Sequence, residues 1–174
     1  NQHRAQPWLY LTVLLAASRN LLPTAAWLKL ARWLIITIYV FSAFSKLDYT
    51  FATTLGQQFL DASLSFFGSP NLGDKSRQNL AFAFPIVELG IAISLSYRRT
   101  RFAAAIAAIV QHVLLLLVLG PLGLDHHWGV LLWNCQFIVF FVILFVGTPQ
   151  EPPSPTAEGL SVWQQCLIWC ILLL

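Results

Sequence analysis

Charge is what this chain has least of. Asp, Glu, Lys and Arg make up 10% of its 174 residues, against 57% for the residues AVILMFWYC, and the mean hydropathy is +0.69. That balance excludes an ordinary soluble domain and belongs to polytopic membrane proteins. The net charge of +3 is no sign of nucleic-acid binding. Lys and Arg sit beside apolar runs and form no separate basic face, so they read as orientation marks, and no nucleic-acid partner is expected.

Other absences narrow the chemistry. G-x-S-x-G, H-E-x-x-H, P-loop and GxGxxG patterns are all missing, so no well-marked soluble-enzyme chemistry is present and the question of catalysis stays open. Three cysteines, Cys135, Cys166 and Cys170, give neither an even disulfide framework nor a C-x-x-C pair. Cys166 and Cys170, one helical turn apart in an apolar run, read as small side chains of a membrane helix rather than a metal or redox pair. Methionine is wholly absent, and the sequence stops inside the apolar run Trp163 to Leu174. It looks like part of a longer polypeptide. There is no secretory signal with a convincing cleavage site and no repeat at a solenoid period.

What is present is a series of apolar segments. The organising stretch runs from Pro85 to His112, where two such segments meet at Arg98, Arg99 and Arg101. Leu80 to Tyr97 and Phe102 to Leu119 are each about 18 residues, close to the ~20 that cross a bilayer core. They read as a transmembrane hairpin with its arginine turn in the cytoplasm. Trp27 to Ser45 is a further span, with Lys29 and Arg32 snorkelling at its inner end, and Val130 to Val146 is another. Residues 1–26 hold an apolar segment too short to cross alone, read as the end of a preceding span. Residues 49–67 place Phe51, Leu55, Phe59, Ala62 and Phe66 on one helical stripe, the pattern of an amphipathic helix in the outer interface. A polar loop, NLGDKSRQN, follows it. Residues 148–159 are a proline-rich linker and residues 160–174 open a further apolar helix. The expected fold is all-α: a polytopic transmembrane bundle of four spans over residues 27–147, with one external amphipathic helix.

Depth arithmetic picks out the candidate site. Glu88 lies 10 positions before Arg98 and His112 lies 11 after Arg101, so at ~1.5 Å per residue both fall roughly 15 Å from the inner boundary. Ionisable groups near the midplane are costly and usually mark a function. Glu88 and His112 are therefore the leading candidates, as a coupled pair able to pass protons to a quinone-like molecule or bind its carbonyl. The competing reading is that they only hydrogen-bond the bundle together. Asn134 and Gln136 come close to the same depth, so a pocket lined by Trp133, Asn134 and Gln136 is expected, with Lys46 and Asp48 above it. Asp125, His126 and His127 are weak candidates for metal ligation, since successive side chains seldom converge on one ion. No bound metal is expected.

The order FSAFSKLD, PIVELGIAISL, a basic turn, then QH and GPLG before VLLWN resembles the DoxX/MauE group of redox-associated bacterial membrane proteins over roughly Trp27 to Gly147. NQHRAQPWLY resembles a stretch that precedes this module in longer members. The resemblance implies a four-helix bundle in the bacterial cytoplasmic membrane, linked to quinone-coupled oxidation or to maturation of an extracytoplasmic redox partner. Lys46, Glu88, His112 and Asn134 stand within the resembling motifs. A direct disulfide role is not implied, because no cysteine pair lies at an extracytoplasmic helix end. Two other readings stay open: a non-catalytic accessory or assembly subunit of a larger membrane complex, and a proton-coupled transporter or intramembrane enzyme using Glu88.

Overall fold

The computed structural model describes residues 7–66, 68 and 72–147. Cys166, Cys170, the expected linker at 148–159 and the expected helix at 160–174 lie outside them. The described residues are all-α. In order they form α1 (Pro7–Leu21), α2 (Thr24–Phe44), α3 (Tyr49–Thr53), α4 (Leu55–Ser65), α5 (Asp74–Ala81), α6 (Ala83–Ser96), α7 (Arg101–Leu119) and α8 (Trp128–Phe141), which runs on into a π-helical segment, Val142–Val146. Four stretches are long and apolar enough to cross a membrane: Thr24–Phe44, Asp74–Ser96, Arg101–Leu119 and Trp128–Val146. The chain is a polytopic helical membrane bundle.

Packing follows residue size. Helix α2 packs chiefly against α6, α6 against α7, and α7 against α8. The buried faces of the first three carry Ala31, Ala92, Ala104, Ala105 and Ala108, and such small side chains let membrane helices approach closely where no hydrophobic force draws them together. Helix α8 supplies the bulk in return, with Phe137 and Phe141 fully buried in the core and Phe145 beyond them. α1 is attached at two points: Trp27 Nε1 donates to the Leu15 carbonyl at 2.9 Å, and Gln136 Nε2 donates to Thr12 Oγ1 at 2.6 Å.

Three local expectations need correction. The amphipathic segment is two helices, because Thr54 leaves helical geometry at φ −122° and ψ −94°. That break resets the phase, so Phe51, Leu60 and Ala62 are buried while Leu55 and Phe66 are exposed. The polar stretch after it is no loop: Asp74–Ala81 is helical and leads through Phe82 into α6. Together α3, α4 and α5 cap one end of the bundle, stitched by the edge-to-face rings of Phe51, Phe59 and Phe84. Arg32, finally, does not snorkel. It is buried, with Nε donating to the Leu144 carbonyl at 2.8 Å and the guanidinium 5.9 Å from the Phe145 ring. Leu144 lies near the end of its helix, where carbonyls lack an intrahelical partner, and the guanidinium meets that need from α2.

The α7–α8 connection is drawn tightly around the end of α7. Leu124 N donates to Val118 O, and Asp125 N to Gly120 O. A Cβ on Gly123 would stand 2.0 Å from the Val118 carbonyl oxygen, so only glycine fits there. Gly123→Ala is expected to lower stability by on the order of 1–3 kcal/mol, read as an earlier unfolding transition of the purified protein in detergent micelles. An unchanged transition would mean that the turn can open at little cost.

Candidate functional site

Helix α2 sets the site. Tyr39 and Ser42 stand at i and i+3 on one face of α2, and Lys46 follows in the turn just past its C-terminal end. That face looks across at α6 and α7. Near the cap end, Lys46 Nζ lies 2.7 Å from both Glu88 oxygens and 2.6 Å from Ser42 Oγ. All three ammonium protons are thereby used. The Lys46 and Glu88 side chains are 22% and 12% exposed, so the pair borders the surface at its Lys46 side.

Two turns deeper along α2, the Tyr39 hydroxyl is 2.7 Å from His112 Nε2, and His112 Nδ1 is 2.8 Å from Asn134 Oδ1. Asn134 Nδ2 in turn donates to the Val130 carbonyl at 2.8 Å. Tyr39, His112 and Asn134 are all buried. Phe137 stacks on the imidazole at 5.0 Å between centroids, and Phe141 lies 6.0 Å away.

The deeper chain has a direction. A carbonyl can only accept, so Asn134 must turn its amide N–H toward Val130 and its oxygen toward His112. With the imidazole neutral, Nδ1 then carries the hydrogen and donates to Asn134, which leaves Nε2 as an acceptor for the Tyr39 O–H. Reversing the order would set the Asn134 oxygen against the Val130 oxygen. Each buried group stranded in that way costs about 1–3 kcal/mol, and lipid supplies no water to relieve it.

The expected coupling of Glu88 to His112 is therefore corrected: His112 is bonded to Tyr39 on α2 and Glu88 to Lys46 in the turn that follows it, seven residues further along the chain. The expected pocket wall divides as well. Asn134 joins the relay and Trp133 packs on Phe137 at 4.8 Å, but Gln136 points to Thr12 on α1. Asp48 is exposed and caps α3, accepting from Phe51 N at 2.5 Å. His127 caps α8 by accepting from Gly129 N at 3.1 Å. Its imidazole is thereby engaged, and among the described residues no group of three metal-ligating side chains comes together. Asp125 and His126 lie in the tight connection before it.

Comparison with family models, curated proteins and solved structures finds no match. The site is therefore read from its own geometry. Tyr39 and Ser42 were missed in the sequence because neither is ionised at neutral pH, and a search for midplane charge passes over them. Their i, i+3 spacing in the apolar run just before Lys46 was the available signal.

A double-mutant cycle tests the outer pair. Lys46→Met and Glu88→Gln should each destabilise the protein by on the order of 1–3 kcal/mol, and the double variant by less than their sum. Reversible unfolding in mixed micelles measures this, and strict additivity would show that the contact carries no coupling.

Proposed function

We propose that this chain is a redox-associated component of a bacterial cytoplasmic membrane, with the Arg98–Arg101 turn on the cytoplasmic side, and that its polar layer receives the head group of a quinone-like molecule. The observation that carries the reading is the Tyr39–His112–Asn134 relay, a directed hydrogen-bond chain buried among aromatic rings in the apolar part of a bundle. Aromatic side chains suit a flat ring, and the Tyr39 oxygen at the end of the relay offers lone pairs to a hydroxyl on that ring. The adjacent Lys46–Glu88 pair supplies charge toward the cap end. Support also comes from the DoxX/MauE resemblance: Lys46, Glu88, His112 and Asn134, which stand in its motifs, all fall in these two hydrogen-bonded groups.

A second reading has its own observation. The hydrogen bonds of the layer are made within the bundle, which is also what interhelical glue in an accessory or assembly subunit requires. Binding separates the two. Titration of the purified chain with decyl-benzoquinone should give saturable binding that Glu88→Gln and His112→Ala each weaken at least tenfold while the fold is retained. Absence of binding by the native chain, or equal binding by both variants, would favour the accessory subunit.

A further inference from the structure

The direction of the buried relay bears on which redox form of a ligand it accepts. We propose that the site prefers the reduced, hydroxyl-bearing form of a quinone-like molecule over the oxidised, carbonyl form. This rests on the reading that such a molecule binds here at all.

The relay is anchored at one carbonyl. Val130 O holds the Asn134 amide, Asn134 Oδ1 holds the Nδ1 hydrogen of His112, and His112 Nε2 takes the Tyr39 hydrogen. The relay thus ends on the lone pairs of the Tyr39 oxygen. An arriving hydroxyl donates to those lone pairs without disturbing any bond in the chain. An arriving carbonyl sets acceptor against acceptor. To receive it, Tyr39 must turn its hydrogen away from His112, and Nε2 is then left bare beside Phe137 and Phe141, where nothing else donates to it. Tyr39 is only 4% exposed, and the partly exposed Lys46–Glu88 pair lies toward the cap from it; within the proposal the hydroxyl approaches from that side.

The same polarity defines where a proton goes. When the ligand O–H bond breaks, its proton passes to the Tyr39 oxygen as the Tyr39 hydrogen passes to His112 Nε2. The ligand is left as a phenolate and His112 as an imidazolium, whose Nδ1–H remains on Asn134. Charge balances across the ligand and the relay together, the phenolate offsetting the imidazolium, and no electron moves in this step. Asn134 is a positioning residue: it acts through the tautomer of His112.

The test is a pair of anaerobic titrations of the native chain, with decyl-benzohydroquinone and with decyl-benzoquinone, joined to nitrogen-15 NMR of the His112 ring. The hydroquinone should bind roughly three- to tenfold more tightly, the weight of about one hydrogen bond, with His112 protonated on Nδ1. Tyr39→Phe should bring the two affinities to parity. Asn134→Asp should reverse the preference, because a carboxylate there holds the imidazolium, Nε2–H then donates to Tyr39, and the Tyr39 hydrogen is released for a carbonyl. Equal affinities in the native chain, tighter quinone binding, or an Nε2–H tautomer would overturn the preference and leave the binding reading standing. Failure of both compounds to bind would overturn both. The NMR arm uses the native chain, so it decides the tautomer even if a variant does not fold.

Discussion

Lipid gives a polar side chain no water to fall back on, and the central constraint on this bundle is that its buried polar groups must satisfy one another. Each membrane helix of the core contributes a member to one of two hydrogen-bonded groups. α2 carries Tyr39 and Ser42, with Lys46 in the turn at its end, α6 carries Glu88, α7 carries His112 and α8 carries Asn134. A shift of any one helix by a single residue would turn its polar member toward lipid or an apolar wall. The apolar contacts set how close the helices lie. The polar contacts set their rotation and height.

The two polar groups differ in character because of where they stand. Lys46 and Glu88 border the surface, so part of their charge is eased by solvent. Tyr39, His112 and Asn134 form a relay that needs no net charge, which is the cheaper arrangement where the surroundings are phenyl rings. Ser42 stands on the face that joins them. A charged pair toward the cap and a neutral chain below it make a graded passage from polar to apolar.

Much of this was legible before any coordinates. Runs of apolar residues near the length of a bilayer crossing located the four spans, because hydropathy and length are additive along the chain. The depth count from the arginine turn picked out Glu88 and His112, and the VLLWN stretch brought in Asn134. Partner choice was not legible. A residue count from the turn fixes neither the height at which neighbouring helices meet nor the face a side chain occupies, so Glu88 reads as a partner of His112 in the sequence and pairs in the fold with Lys46, nearer the cap. Arg32 was misplaced for a related reason: its position near a helix end fits snorkelling, and groups distant in sequence, the Leu144 carbonyl and the Phe145 ring, meet it inside the bundle. The break at Thr54 and the helicity of Asp74–Ala81 depend on packing across the cap, which local pattern does not contain.

The π-helical segment at the end of α8 bears on the angular bookkeeping of the bundle. Phe137, Phe141 and Phe145 recur every four residues and are all buried. In an α-helix of 3.6 residues per turn, each such step advances by ~40°, so a strictly α-helical α8 would carry the third ring well around toward lipid. The wider turn over Val142–Val146 takes up that surplus rotation. It works as a vernier, keeping the third ring of the aromatic column buried with the other two and setting the Leu144 carbonyl within reach of Arg32.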